Sequence, residues 1–143
     1  MEITHINPPA LAPARGYSQV VRVRGGSTVH VAGQGAYDAE GRLVGPGDYR
    51  AQARQAFRNV AAALAAAGAR PEQVVSSTMY VKELRPEALE AFVRGMNEAL
   101  DGRPFPPHAS TLVGVQALAY PDMLVEISAI AVIDMCPDLA AAV

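Results

Sequence analysis

The chain has 143 residues, which is the length of one compact domain and too short for two. Its residues are 50% hydrophobic and 18% charged, a composition that excludes a disordered chain and suggests that other subunits cover part of the exterior. Twelve Lys and Arg against 14 Asp and Glu leave a net charge of −2, which argues against duplex DNA as a partner because DNA binding needs a basic surface.

Cysteine and histidine usage gives no sign of a metal site. The single Cys136 excludes an internal disulfide and a cysteine-based zinc site, and without a basic neighbour we expect it to be an inert thiol. The histidines His5, His30 and His108 are too scattered for a local metal motif. No stretch reaches the roughly 18 apolar residues that span a bilayer. The N-terminus lacks the pattern of a signal peptide, so we expect a cytoplasmic protein without metal or membrane contact.

The first part of the chain predicts an extended segment and then a hairpin. Residues 1–16 contain three prolines and predict an extended lead-in. The β-prone runs 17–24 and 28–34 are joined by Gly25-Gly26-Ser27, which predicts that they pair as a hairpin. Residues 37–47 have the composition of a loop, with room for a small ribbon around its Glu40-Gly41 dipeptide.

Two helices flanking a strand are predicted next. Asp48 is a suitable N-cap for a helix that runs to about Ala67, where Gly68 ends it. Residues 74–82 are rich in Val, Ser, Thr and Tyr and predict a strand. Pro86 then begins a helix that continues to about Leu100, since proline is favoured in a helix's first turn.

The final two strands are predicted over residues 110–118 and 123–133, followed by a C-terminal tail over 135–143. The resulting order, β-β-α-β-α-β-β, contains no repeat and no linker, so residues 1–143 form a single α/β (α+β) domain. Two helices cover only one face of such a sheet.

The last strand shows how the second face is used. Its odd register is wholly apolar and is expected to face the helices. Its even register is mostly apolar too and carries one carboxylate, which predicts that this second face is buried by self-association. The odd set is Val125, Ile127, Ala129, Ala131 and Ile133, and the even set is Leu124, Glu126, Ser128, Ile130 and Val132.

Glu126 is the leading candidate for chemistry. Among apolar neighbours its carboxylate is desolvated unless it is paired, so its pKa is expected to rise and it could act as an acid or base. The alternative is a strand-end glutamate that reaches solvent or an arginine, and the pattern alone leaves both open. His30 is interpreted as a hydrogen-bonded strand histidine, and His108 as the wall of a pocket.

Arginines recur along the first predicted helix. Arg50, Arg54 and Arg58 follow at intervals of four and could track an RNA backbone. The negative net charge and the absence of interleaved aromatic residues favour an ordinary solvated helix face instead.

Several segments together resemble the RidA (YjgF-type) family of reactive-intermediate deaminases. They are Gly33-Gln34 after a strand, the helix start 51–60, Ala67-Gly68, the strand 74–81 with Lys82-Glu83-Leu84, Val113-Gly114-Val115, and the closing segment 124–131. The resemblance extends from about residue 14 to residue 133, and the closing Val-Glu-Ile-x-Ala-Ile-Ala segment is its most specific part.

The resemblance implies a chorismate-mutase-like fold with a mixed sheet, two helices on one face, and a homotrimer with ligand clefts between subunits. It also implies hydrolysis of enamine or imine intermediates to a carbonyl and ammonia, without a cofactor. Glu126 would then hold or activate water. The implied ligand-binding positions are Tyr17, Ala32, Gly33, Ser110 and Thr111.

The chain departs from the family pattern at three positions. Ser110 stands where the family has an arginine that grips a substrate carboxylate, and residues 104–143 contain no arginine. Ala32 replaces the usual serine before Gly-Gln, and Ala91 replaces a common asparagine. Arg103, in the proline-rich connector, is the nearest arginine in sequence that could substitute.

Three hypotheses follow. The first is an enamine or imine hydrolase whose substrate has no free carboxylate or holds it differently. The second is a trimer that binds or senses a small metabolite without catalysis. The third, an endoribonuclease-type activity suggested by the labels of some relatives, lacks a basic groove and ranks last.

Overall fold

The structure, a computed structural model, describes residues 1–135. The elements are β1 (Glu2–Ile6), β2 (Val20–Arg24), β3 (Ser27–Gln34), α1 (Tyr49–Ala66), a short 3-10 helix (Pro71–Gln73), β4 (Val74–Lys82), α2 (Pro86–Asn97), β5 (Ala109–Val115) and β6 (Val125–Ile133). Cys136, and the predicted tail beyond residue 135, lie outside the described residues. Within residues 1–135 no helix has the length and apolar character needed to cross a membrane.

Four strands form the main sheet in the order β3-β6-β4-β5. β6 runs antiparallel to both β3 and β4, whereas β5 runs parallel to β4. A parallel neighbour requires a crossover, and α2 provides it. The mixed sheet of the predicted α/β fold is confirmed.

The N-terminal prediction is wrong in its strand pairing. Part of the lead-in forms β1, and β2 pairs with β1 rather than with β3. Gly25 and Gly26 do turn the chain, at φ +68° and +95°. The strand that follows the turn, β3, belongs to the four-stranded sheet and not to the sheet of β1 and β2. There Ser27 pairs with Ile133 of β6. Local β-propensity predicted these strands, but the partner of each depends on long-range pairing that propensity does not encode.

The helix boundaries follow local signals. The Asp48 side chain accepts a hydrogen bond of 3.0 Å from the Ala51 amide at the start of α1, and Gly68 follows its end at φ +73°. Pro86 occupies the first turn of α2 as predicted. That helix ends at Asn97, three residues short of the prediction, because the chain folds back over residues 98–103 and the Gly102 amide bonds to the Glu98 carbonyl.

The core lies between the helices and one face of the main sheet. The odd residues of β6 are buried there as predicted, except that Ile133 is only partly buried. Phe57 of α1 is fully buried and packs on Phe92 and Phe105, with ring centroids 5.8 Å and 5.1 Å away. α1 lies across β6 and β3, and α2 packs along α1.

The other surface of the main sheet, here called the open face, is half-buried or exposed in the single chain except at Val132, opposite Thr28, which is 7% exposed. Its residues are Thr28, His30, Ser76, Thr78, Tyr80, Thr111, Val113, Glu126, Ser128 and Ile130. Hydroxyl side chains are prominent on β3, β4 and β5, which the apolar pattern of β6 did not predict. A hollow of about 220 Å³ lies on this side, among residues that include His30, Ser76, Thr78 and Ser128.

Gly95 is required where the two helices meet. A Cβ at this position would lie 2.8 Å from the Cβ of Ala53 and 2.9 Å from the amide nitrogen of Arg54. Replacing glycine by alanine inside a helix normally stabilises it by about 1 kcal/mol. We predict that Gly95→Ala instead destabilises the protein by about 1–3 kcal/mol, because the helices must separate. Chemical denaturation at fixed protein concentration measures this. Val93→Ala, at an exposed position of α2, is the control, and equal effects of the two variants would contradict the account.

Candidate active site

Tyr17, Ser110 and Thr111 come together at the free edge of β5. They line a hollow of about 240 Å³, here called the β5 half-site, with Ser18, Gln19, Ser76 and Ala109. Tyr17 precedes β2 in the chain and reaches the hollow because residues 17–19 lie against the start of β5. The resemblance therefore predicted three residues that share one hollow.

Hydrogen bonds fix the segment that carries Tyr17. The Ser18 amide donates to the carbonyl of His108, at 3.0 Å, just before β5 begins. The Gln19 amide donates to the Asn7 side chain, and its side-chain amide donates to the Ala12 carbonyl, both at 2.8 Å. The Gln19 side chain also lies 3.4 Å from the Tyr17 hydroxyl. Hydrogen bonds to the lead-in thus hold one wall of the half-site in place.

Among residues 1–135, no lysine, arginine, aspartate or glutamate lines the β5 half-site. Its seven residues offer the Ser18, Ser76, Ser110 and Thr111 hydroxyls, the Tyr17 phenol and the Gln19 amide. Arg103, considered as a substitute for the family arginine, is exposed in the α2–β5 connector and does not line the hollow. The hollow is suited to donors and acceptors on an uncharged ligand and supplies no ion pair for a carboxylate.

Glu126 and Gly33 form a second group, here called the β6 half-site. Glu126 lies on the open face of β6, half-buried, opposite Tyr80 of β4. A Cβ added to Gly33 would overlap the Glu126 carboxylate, so the missing side chain is what leaves room for that group. A register shift between Val31 and Gln34 interrupts the β3–β6 pairing at this point. Ala32, next to Gly33, is exposed.

The two half-sites do not meet within one chain. β4 separates β6 from β5, so Glu126 and Thr111 lie on strands about 10 Å apart across the sheet. Glu126 pairs with Tyr80 and Thr111 pairs with Thr78, which adds an offset along the strands. Glu126 and the residues that line the β5 half-site thus form two separate groups within one chain.

The sequence predicted that His108 forms the wall of a pocket. In the structure it is instead a buried residue behind the β5 half-site, 5% exposed. Its Nδ1 lies 2.8 Å from the Pro106 carbonyl and its Nε2 lies 2.6 Å from the Ser77 hydroxyl. Burial lowers its pKa below the ordinary histidine value, against the opposing hydrogen bond to Pro106, and nearby His5 lowers it further. His30 lies on β3 as predicted and is exposed there.

Glu98 contacts two of the three arginines of α1. The Arg50 Nε donates to Glu98 at 3.1 Å, and Arg54 lies 4.0 Å from the same carboxylate. This pairing lowers the pKa of Glu98 and raises that of Arg50. The arginine face is therefore partly neutralised, as expected for a solvated helix surface.

Two polar residues of α1 hold the loops around the β6 half-site. Gln52 is fully buried, and its side chain donates to the Gly45 and Asp122 carbonyls and accepts from the Leu124 amide. The Asn59 side chain donates to the Gly35 and Tyr37 carbonyls. Sequence reasoning assigned neither role. The available signal was a glutamine within the apolar stripe of the helix, a position that demands hydrogen-bond partners.

A mixed sheet covered by two helices on one face defines a protein of the chorismate-mutase-like α/β fold. A family model described as Endoribonuclease L-PSP matches residues 8–133. The chain therefore belongs to the RidA (YjgF-type) family, as its sequence resemblance implied.

Individual relatives support the same assignment. The chain is 34% identical over 127 residues to a 2-iminobutanoate/2-iminopropanoate deaminase of Dermatophagoides farinae, covering 89% of this chain and 93% of the relative. A Rid family protein of unknown function from Yersinia pestis, YyfB, superposes with a TM-score of 0.84 at 38% identity, over 93% of this chain and all of that one. E. coli TdcF with bound serine superposes with a TM-score of 0.66 at 27% identity, over 89% and 93% of the two chains.

The contact between Gly33 and Glu126 can be tested directly. We predict that Gly33→Ala turns the Glu126 carboxylate away from β3 while changing the free energy of unfolding by less than about 1 kcal/mol, because the end of a flexible side chain yields at low cost. A crystal structure of the variant locates the carboxylate. Gly35→Ala is the matched control, since its Cβ would meet Met123 and Tyr37. A carboxylate that stays in place in Gly33→Ala would contradict the assigned contact.

Proposed function

We propose that the protein forms a homotrimer whose clefts join the β5 half-site of one subunit to the β6 half-site of the next. In these clefts it hydrolyses a small imine or enamine without a carboxylate to a carbonyl compound and ammonia, and needs no cofactor. The observation that carries the proposal is the separation of the two half-sites within one chain, because a cleft that uses both needs two copies.

The uncharged lining of the β5 half-site supports the substrate class. The D. farinae relative is named for 2-imino acids, and the TdcF structure holds serine; both ligands carry a carboxylate. In this chain Ser110 occupies the position that the resemblance assigns to an arginine. Hydrogen bonds to a charged group contribute about 1.5–3 kcal/mol, so without that arginine the preference for a carboxylate falls by about ten- to hundredfold.

Glu126 is the proposed base. Its carboxylate accepts a proton from a water molecule while the water oxygen attacks the carbon of the C=N bond, and it passes that proton to the nitrogen. The second water proton follows to the nitrogen as the C–N bond breaks. The water oxygen thus remains on the carbonyl product, and both protons leave on ammonia.

Exchanging the residue at the arginine position tests the substrate class. We predict that the wild-type protein accelerates hydrolysis of a neutral imine generated in situ more than that of 2-iminobutanoate. Ser110→Arg should shift this ratio towards 2-iminobutanoate by about tenfold or more, since the guanidinium adds charged hydrogen bonds. Glu126→Gln should abolish turnover of both substrates. If the protein bound these substrates without accelerating the hydrolysis of either, it would be a non-catalytic binding protein and the proposed hydrolysis would be wrong. Full activity of Glu126→Gln would refute the role of Glu126.

Solution mass tests the assembly. We predict a trimer, and we predict that Ile130→Glu, which adds a charge to the open face, shifts the mass towards the monomer. Leu89→Glu, at a 41% exposed position of α2, is the matched control and should remain trimeric. Wild-type protein that is monomeric at micromolar concentration would remove the intersubunit cleft from the account.

A further inference from the structure

Buried polar groups gather at His108, next to the β5 half-site but outside it. Ser18, Ser77 and His108 are 4%, 5% and 5% exposed, and each serine is hydrogen-bonded to His108. They come from three places in the chain, namely the segment before β2, strand β4 and the residue just before β5. A buried group of this kind is stable only when its hydrogen bonds are satisfied, so its protonation state matters.

The hydrogen-bond partners define which form of His108 fits. The Pro106 carbonyl can only accept, so the imidazole Nδ1, 2.8 Å away, carries a proton. The Ser77 hydroxyl, 2.6 Å from Nε2, then donates to a ring nitrogen that has a free lone pair. A second proton, on Nε2, would point at that hydroxyl and force it to turn round and accept. The surroundings therefore fit the neutral ring.

The same residue connects both sides of the β5 half-site. Its carbonyl holds the Ser18 amide, which fixes the segment carrying Tyr17 and Gln19. Its ring holds Ser77, whose register partner on β5 is Ser110. The backbone carbonyl and the ring of His108 thus contact the two chain segments next to the residues that line the hollow.

We propose that neutral His108 is the positioning residue of the β5 half-site and makes ligand binding there depend on pH. Protonation of the ring reverses the Ser77 hydrogen bond, removes the acceptor of the Ser77 O–H proton, and loosens Tyr17 and Ser110. This inference rests on the proposed function in taking the β5 half-site as the place of binding, but its structural part does not depend on turnover.

The charges around His108 set the direction of the pH effect. His5 on β1, hydrogen-bonded to the Ser18 hydroxyl at 2.8 Å, lies near the ring, and Glu72 of the 3-10 helix lines a hollow of about 370 Å³ with His5, Ser18 and Pro106. On the other sides the ring contacts the Ser77 hydroxyl and packs in a T-shaped arrangement with the Phe105 ring. Since burial and His5 lower the pKa of His108, the half-site is intact at neutral pH. It loosens as the pH falls through that lowered value.

Nuclear magnetic resonance of the intact protein tests the structural part. Between pH 7.5 and 4.5 we expect the amide signals of Tyr17, Ser18 and Ser110 to shift with the same midpoint as the His108 ring protons. The protection factor of the Ser18 amide, which is its exchange rate corrected for the intrinsic pH dependence, should fall about tenfold or more as its hydrogen bond weakens. His108→Asn should remove this midpoint from the amide signals, and His5→Asn should move it only slightly.

Two results would overturn the proposal. One is that these amides keep their shifts while His108 titrates. The other is that their midpoint survives in His108→Asn and disappears in His5→Asn, which would assign the effect to His5. Val60→Ala, a core variant of α1 that is not among the residues hydrogen-bonded to His108, shows what general destabilisation alone does to the protection factors.

Kinetics with the neutral imine tests the consequence for binding. We expect the KM of the wild-type protein to rise about tenfold between pH 7.5 and 5 while kcat changes less, because the lost contacts serve binding. His108→Asn should raise KM already at pH 7.5 and abolish its pH dependence, whereas Val60→Ala should keep it. Equal pH dependence of KM in His108→Asn and in the wild type would contradict the role of His108. Absence of any turnover would count against the proposed function and leave the resonance result to decide the structural part.

Discussion

The placement of β6 between β3 and β4 is the constraint on which the rest of the molecule depends. Alternate residues of a strand point to opposite faces. The nine residues of β6 therefore contribute apolar side chains to the core under the helices and also place Glu126 on the open face. A shift of register by one residue would bury the carboxylate under α1 and expose Val125 and Ile127. Gly33, on the neighbouring strand, then leaves the space in which the carboxylate lies.

Much of this architecture could be predicted from the sequence because its signals are local. Asp48, Gly68 and Pro86 mark helix ends by their own backbone and side-chain chemistry, and the limits predicted for β4 agree with the structure. The alternation along β6 likewise needs no knowledge of other elements. The pairing of β2 with β1 could not be predicted in this way, since any of several β-prone segments could have been its partner.

The residues of the candidate site also fall into those that the sequence predicted and those whose roles only the structure shows. The family resemblance supplied Tyr17, Ser110, Thr111, Gly33 and Glu126, and the structure adds how they are distributed over two strands separated by β4. The roles of His108, Gln52 and Asn59 depend on contacts between segments that are distant in sequence. His108 shows the difficulty: the prolines before it suggested a pocket wall, but only its hydrogen bonds to Ser77 and Pro106 identify it as a buried support.

The proposed cleft combines an uncharged binding hollow with a carboxylate contributed by another copy of the chain. Mixed trimers test this most directly. Thr111→Tyr fills the β5 half-site and Glu126→Ala removes the base, so each variant alone should be inactive. When the two are denatured and refolded together in equal amounts, random assembly pairs an intact β5 half-site with an intact β6 half-site in about one cleft in four. We predict that the mixture regains about a quarter of wild-type turnover, whereas a mixture as inactive as its components would contradict a cleft shared between subunits.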